Sequence, residues 1–203
     1  LPGSGHLVVQ ADLRDADAVR AMVDEAATAL GGIDVLVNNA GVFFPHPIDE
    51  VSYEDWQQAW ADTLGVNLVG AANVTWCAVR HMPRDGSGRI VNVGSRGAFR
   101  GEPDSPAYGA SKAAIAAFGQ SIAKSLGATG IAVSTVAPGF VETEMAGEHL
   151  EGELGDATRA QSPFNRVAAP EEIAAAVVWL ASPEAQWASG SILDLNGASY
   201  LRM

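Results

Sequence analysis

The sequence is short of cysteine, of positive charge and of long apolar runs, and each shortage removes a class of function. Its single cysteine, Cys77, has no partner for an internal disulfide, which suits a reducing compartment. His6, His46, His81 and His149 lie far apart, and no Cys/His cluster has metal-ligand spacing, so no metal is expected. Lys and Arg number 12 against 24 Asp and Glu, a formal charge of −12 at pH 7. So acidic a surface repels phosphate backbones and anionic lipid, so neither nucleic acid nor a membrane is expected as a partner. The longest apolar stretch, residues 174–181, falls far short of the ~18 residues of a bilayer span. No basic-then-apolar segment resembles an export signal, and the expected location is cytoplasmic. The sequon Asn73-Val74-Thr75 sits inside a helical pattern and carries no weight without export. A Gly-x-Ser-x-Gly hydrolase elbow is missing, and Ser121-Ile122-Ala123-Lys124 lacks the companion motifs of the penicillin-interacting acyl enzymes.

What is present is a foldable chain of 203 residues, 48% hydrophobic and 18% charged, enough for one core and one domain over residues 1–203. Strand and helix signals alternate along it. A strand is expected at residues 6–10, then a helix over 15–30 with Val19, Met22, Val23, Ala26 and Leu30 on one stripe, ended by Gly31-Gly32. The run 33–37 reads as a strand buried on both faces. A long helix over 52–82, a strand at 89–93, a helix over 107–126, a strand at 131–136, a helix over 170–181 and a strand at 191–195 follow. Pro106 and Pro170 stand where a first-turn proline is tolerated. The expected fold is α/β, a doubly wound parallel sheet with helices on both faces. Over residues 142–169 the pattern weakens, and this segment is expected to be a mobile flap over a site.

Tyr108 and Lys112 are four apart on one helix, so their side chains share a face. A cation ~4 Å from a phenol at an effective dielectric of about 20 contributes roughly 4 kcal/mol, which would lower a tyrosine of pKa ~10 by up to ~3 units. Such a tyrosine exchanges protons near neutral pH. An isolated Tyr-x-x-x-Lys is usually helix surface, but here the preceding strand ends at Gly94-Ser95, on the carboxyl edge where open α/β sheets put ligands. Ser95, Tyr108 and Lys112 can therefore converge on one carbonyl oxygen.

This constellation, Ser95 followed by Tyr108-Gly109-Ala110-Ser111-Lys112, resembles the active site of the short-chain dehydrogenase/reductase family. Asn38-Asn39-Ala40-Gly41, Asn67 in Val66-Asn67-Leu68, and Pro138-Gly139 followed by Thr143 match the same family in order and approximate spacing, from Asp12 to the carboxyl end. The resemblance implies an NAD(P)-dependent oxidoreductase, NAD or NADP, acting on a small-molecule ketone or secondary alcohol by hydride transfer. It implies Tyr108 as the general acid or base. Lys112 would lower the tyrosine's pKa and hold the nicotinamide ribose, Ser95 would hydrogen-bond the substrate oxygen, and Asn67, interrupting its helix, would hold a water. It further implies that Asp12 and Leu13 receive the adenine amine, that Asn39, Ala40 and Gly41 let the dinucleotide lie on backbone, and that Pro138, Gly139, Val141 and Thr143 line the nicotinamide and its phosphates. Each residue keeps a plainer reading: Asp12 or Thr143 as a cap, Gly41 or Ser95 as a turn residue, Asn67 as a packing amide.

The family's opening strand and Gly-rich turn are found nowhere in these 203 residues. The expectation is therefore an amino-terminally incomplete domain, without its first strand-helix-strand unit, from a longer dehydrogenase. Arg96, Phe99, Arg100, Phe140, His149 and Phe164 flank the expected pocket and suggest a mouth both apolar and cationic, compatible with a carrier-linked or acidic ketone. The pattern is most similar to the 3-oxoacyl carrier-protein reductase branch, although Leu195-Asn196-Gly197 departs from its usual Asp-Gly-Gly. Trp56, Trp60 and Trp76 read as helix packing, and the resemblance implies a homotetramer built through the long helix and the next. The competing reading is a non-catalytic family fragment acting as a binding or regulatory subunit.

Overall fold

A computed structural model describes residues 3–143, 146, 147 and 150–202. Four parallel strands form one sheet in the order β1 (Val35–Asn38), β2 (Arg89–Val93), β3 (Ala132–Pro138) and β4 (Ile192–Leu195). Leu36 pairs with Ile90 and Ile90 with Val133, so β1 and β2 end one residue apart, at Asn38 and Val93, and β3 runs two residues farther, to Pro138 beside Leu195. Every residue of β3 is buried, because it lies inside the sheet with helices above and below.

Successive strand residues face opposite layers. Ile90 and Val133 join Val19, Val23, Val74, Cys77 and Ala123 in a core under helices α1 (Ala16–Leu30), α3 (Ala71–Ala78) and α5 (Pro106–Leu126). Val91 and Val136 face the other way, against Leu180 of α7 (Pro170–Leu180) and Ala185. Asp15 starts α1 by accepting from the N–H groups of Asp17 and Ala18 at 3.0 and 3.1 Å, and Gly31 ends it at φ 80°. α5 starts on Pro106 and lies close to the sheet at Gly119, where a Cβ would meet Asn92 Nδ2 at 2.9 Å.

Several expectations need correction. Residues 6–10 form no strand, and Val8 is 91% exposed; no described strand runs beside them, and without a ladder partner an extended segment has nowhere to direct its N–H and C=O groups. β1 is not buried on both faces: Val35 and Val37 are exposed at the sheet edge. Leu30 lies outside the buried stripe of α1, where Ala27 takes the inner position. The single helix expected over 52–82 is three pieces, α2 (Tyr53–Leu64), a π-helical turn (Gly65–Gly70) and α3. The break follows from packing, since a Cβ on Gly70 would sit 2.7 Å from Leu13 Cβ, and the Leu13 loop presses on the turn. Within 142–169 the chain carries helix α6 (Gly152–Ala160), and Val141 bridges Ala168, so this span is more regular than its composition suggests.

Candidate active site

The carboxyl edge of the sheet collects the polar residues. β2 runs into Gly94-Ser95, with the Gly94 N–H donating to Val136 O at 2.8 Å, and the chain turns into the short helix α4 (Gly97–Arg100). Ser95 Oγ accepts from the Gly97 N–H at 3.0 Å, which fixes the serine at the strand end. Tyr108 lies in the first turn of α5, half-buried, and the Ser95 hydroxyl lies near enough to its phenol to favour the ionised form. Phe43, in the loop after β1, meets the tyrosine ring edge-on with centroids 5.0 Å apart.

Lys112 is 5% exposed, and its Nζ donates to Val93 O at 2.9 Å, at the end of β2. Burial pushes this ammonium down to about 8, because an apolar setting disfavours the charged form. The expected strong depression of Tyr108 by Lys112 is corrected here. Burial moves the phenol above its ordinary value, Ser95 opposes the shift, and Glu102 adds to it. Lys112 Nζ lies 5.6 Å from the Tyr108 ring centroid and is turned to the Val93 carbonyl.

Asn67, on the π-helical turn, is 3% exposed. Its Oδ1 accepts from the Val42 N–H at 2.8 Å, while its Nδ2 donates to Val42 O at 3.0 Å and to Ser111 Oγ at 3.1 Å. The amide thus clamps the loop after β1 to α5. A Cβ on Gly41 would lie 3.4 Å from both Asn67 Oδ1 and Lys112 Nζ, so Gly41, Asn67 and Lys112 border one point. Ser95, Tyr108, Lys112, Asn67 and Gly41 are therefore one connected group.

The other candidates lie around it. The Asn39 N–H donates to Val37 O at 3.1 Å, and Ala40 and Gly41 continue that turn. Pro138 O accepts from the Arg96 N–H at 2.8 Å, tying β3 to the Ser95 turn, and the Gly139 N–H donates to Leu195 O at 3.0 Å. Val141 bridges Ala168, and the exposed Thr143 turns its hydroxyl to Val141 O at 3.4 Å. Asp12 accepts from the Arg14 N–H and guanidinium at 2.8–3.2 Å, which pulls its carboxyl down to about 2, and Leu13 packs against the α1–α3 core.

Of the expected mouth residues, Arg96, Phe140 and Phe164 line one cavity of about 190 Å³. Phe99 lies under the Arg202 guanidinium at 4.1 Å, and Arg100 reaches Glu102 and Gln161. His149 lies outside the described residues. Trp56 and Trp60 pack together with centroids 5.7 Å apart, whereas Trp76 is exposed with Arg80 stacked on it at 3.0 Å. Three features escaped the sequence reading. His46 is buried against the start of α5, Asn38 Nδ2 bridges Thr75 Oγ1 and Asn92 Oδ1 at 2.9 Å each beneath the site, and Arg96 is almost wholly buried. Only the Asn38 bridge had a signal, since Asn38 and Asn92 stand in strands otherwise made of apolar residues and Arg89.

A phenol that keeps its proton at neutral pH, beside a serine and near a buried ammonium, can give a proton to an oxygen that gains charge. The group also fits the nicotinamide end of a dinucleotide. Val93 takes one of the three Lys112 N–H donors, which leaves donors for ribose hydroxyls, and Gly41 keeps the approach free of side-chain bulk.

Residues 2–197 match the family model described as enoyl-(acyl carrier protein) reductase. The chain is 37% identical over 185 residues to a 3-oxoacyl-[acyl-carrier-protein] reductase of Vibrio cholerae, covering 91% of this chain and 74% of that protein. It is 38% identical over 200 residues to a cis-4-hydroxycyclohexanecarboxylate dehydrogenase of Sinomonas cyclohexanicum, covering 97% and 78%. Among solved structures, a short-chain dehydrogenase/reductase of the glucose/ribitol dehydrogenase type from Brucella melitensis superposes with TM-score 0.87 at 33% identity, over 96% of this chain and 76% of that one. A short-chain dehydrogenase from Burkholderia cenocepacia in complex with NADP gives 0.84 at 36% identity, over 94% and 75%.

Proposed function

The chain belongs to the short-chain dehydrogenase/reductase family, and from that premise we propose how its residues carry the family's reaction. It is an NAD(P)-dependent oxidoreductase that reduces a ketone or oxidises a secondary alcohol. The nicotinamide cofactor, when bound, supplies or accepts the hydride. In the direction of reduction Tyr108 is the acid: its phenol, protonated at neutral pH because burial raises it, gives the proton to the substrate oxygen. Ser95 donates a hydrogen bond to that oxygen as negative charge grows on it. Lys112 holds the ribose hydroxyls with the N–H donors that Val93 does not take. Asn67 positions Gly41 and Val42 against α5, and a water on its free lone pair would link Lys112 to solvent. Asn39, Ala40, Pro138, Gly139, Val141 and Thr143 border the dinucleotide, with Asp12 and Leu13 at the adenine end.

The observation that carries this reading is the convergence of Tyr108, the buried Lys112 and Asn67 around Gly41 at the end of β2, where the Ser95 turn begins. Titrating the protein with NADPH and with NADH, read as fluorescence transfer from the tryptophans, measures cofactor binding. Tyr108→Phe is expected to abolish turnover and to leave that binding unchanged. A variant that keeps its rate removes Tyr108 from the acid role, and no binding at millimolar cofactor supports a scaffold instead.

Among the described residues no helix is long and apolar enough to cross a membrane, and the acidic chain is read as a cytoplasmic protein. Its assembly is read as a homotetramer. Tyr53 on α2, Val69 on the π-helical turn and Trp76 on α3 are exposed, and a groove between α3 and α5 is lined by Trp76, Phe118 and Ile122. A tetramer by light scattering is the expected result.

A further inference from the structure

Arg96 is the residue after Ser95, yet its side chain points into different surroundings. It is 3% exposed. One terminal nitrogen donates to Ser199 Oγ, the other to Gln161 Oε1 at 2.6 Å, and the guanidinium carbon lies 5.0 Å from the centre of the Phe140 ring. All three partners are neutral. Among the described residues no carboxylate lies within ion-pair distance of it. Glu102, the acid whose field reaches Arg96, lies 3.5 Å from Arg100. Glu172, which borders the same cavity, is bound by both terminal nitrogens of Arg166 at 2.6 and 2.7 Å and so is already neutralised.

A buried cation without an ion partner is costly, and burial pushes this guanidinium down to about 10. It remains charged at neutral pH, and it borders a cavity of about 190 Å³ rather than packed protein. Phe140, Phe164, Ile173 and Leu195 give the cavity apolar walls, beside the polar Ser162 and Asn196 and the Arg166–Glu172 pair. None of Ser95, Tyr108 and Lys112 lines it. With Arg166 and Glu172 paired to each other, Arg96 is the lining cation left without a carboxylate among the described residues, and such a charge beside apolar walls suits a small amphiphilic ligand.

We propose that the Arg96 cavity is a binding site for a small carboxylate with an apolar body, separate from the Ser95–Tyr108–Lys112 group. The carboxylate completes the ion pair that Arg96 lacks among the described residues, and the alkyl or ring portion fills the space between Phe140, Phe164 and Leu195. The site communicates with the reaction centre through short connections. The Arg96 N–H donates to Pro138 O, and Phe140 follows Gly139 directly. The carboxylate has two sources, a free acid or the acid end of a keto-acid substrate.

Calorimetric titration of the whole protein with butanoate, and with butanamide as its neutral match, tests this. Butanoate is expected to bind saturably, with butanamide at least tenfold weaker. Arg96→Gln should lose butanoate affinity tenfold or more, while NADPH binding by tryptophan fluorescence transfer stays unchanged. Because that variant could fail to fold, ¹⁵N-arginine spectra of the unaltered protein give a second readout, in which the buried side-chain signal should shift as butanoate saturates. Competitive inhibition of keto-acid reduction by butanoate would identify the substrate's own acid as the occupant, and non-competitive inhibition a free acid; either accords with the site. Equal binding of butanoate and butanamide, undiminished binding to Arg96→Gln, or an unmoved arginine signal would overturn it. The calorimetry does not depend on catalysis, so inactivity of the protein would leave the anion site standing.

Discussion

Nε2 of the buried His46 accepts a hydrogen bond from the backbone N–H of Ala107 at 3.2 Å, one residue before Tyr108. The other ring nitrogen lies 2.6 Å from Phe44 O, so it is Nδ1 that carries the proton. The same junction is closed by the Ser105 hydroxyl donating to Phe44 O at 3.0 Å and by the His46 N–H donating to Asp104 O at 2.7 Å. α5 opens on Ser105, whose own side chain makes no cap bond within the helix. The imidazole supplies the missing acceptor from a loop far away in sequence.

His46→Ala should therefore destabilise the protein by about 1–2 kcal/mol, the usual cost of losing a helix cap. The first turn of α5 carries Tyr108, so kcat should fall along with it while cofactor affinity holds. Urea unfolding midpoints and steady-state kinetics on the same preparation check both. An unchanged kcat would show that Tyr108 is held by Phe43 and Ser95 without the cap.

Ser95 is the one influence holding the Tyr108 phenol down against burial and Glu102. Ser95→Ala should raise the tyrosine's ionisation further. The alkaline ultraviolet difference titration, taken between each protein and its Tyr108→Phe counterpart, should move to higher pH. Loss of a hydrogen-bond donor to the developing oxyanion should also cost about 100-fold or more in kcat. A titration that moves down instead would mean that Ser95 chiefly sustains the neutral phenol.

The parts of this molecule legible in the sequence are those set by local pattern. β2, α5 and α7 fall within a few residues of where valine runs, first-turn prolines and helical periodicity put them. The order of Ser95, Tyr108 and Lys112 was equally visible, because a strand end and a first helical turn fix side chains to one edge. What periodicity could not carry was anything set by a partner distant in the chain. Residues 6–10 have strand composition but no neighbouring strand. The π-helical turn depends on Leu13 pressing on Gly70. Spacing placed Lys112 on the same face as Tyr108, but the Val93 carbonyl decides where its ammonium points. The buried state of His46 and Arg96 depends on residues some 60 positions away and leaves no local trace.

Burial of Lys112 gives stability a pH dependence of fixed sign. Its folded value, about 8, lies below the 10.5 of an exposed lysine. Between those limits the unfolded chain binds a proton that the folded chain has released, so this site makes stability rise with pH across the window. Below pH 8 the folded protein bears the full cost of the buried charge, roughly 3 kcal/mol at about 1.4 kcal/mol per unit. Lys112→Met removes that cost and gives up one hydrogen bond worth about 1 kcal/mol. The inactive variant should then be the more stable at pH 7, by about 2 kcal/mol, with its advantage gone by pH 10.5. Paired urea melts at the two pH values measure it, and a constant difference between the proteins would place Lys112 in a more polar setting than its burial indicates.

Gly119 offers a test of packing in which two effects oppose each other. Replacing a glycine within a helix by alanine ordinarily stabilises by about 1 kcal/mol, through backbone entropy. At Gly119 the added Cβ would lie 2.9 Å from Asn92 Nδ2 and 3.0 Å from Thr135 Oγ1, on two strands that cannot retreat. Asn92 is fully buried and its Oδ1 already holds Asn38, so pushing it aside disturbs the polar bridge beneath the site. Overpacking of this kind costs about 1–3 kcal/mol, which exceeds the propensity gain. Gly119→Ala should therefore destabilise. Gly127, at the end of the same helix with φ −54° and nothing within 4 Å of a Cβ, supplies the control. There the same substitution should be neutral or mildly stabilising. If the two variants unfold at the same urea concentration, α5 has room to move off the sheet, and the distances that set Tyr108 and Lys112 against the ends of β1 and β2 are adjustable rather than fixed.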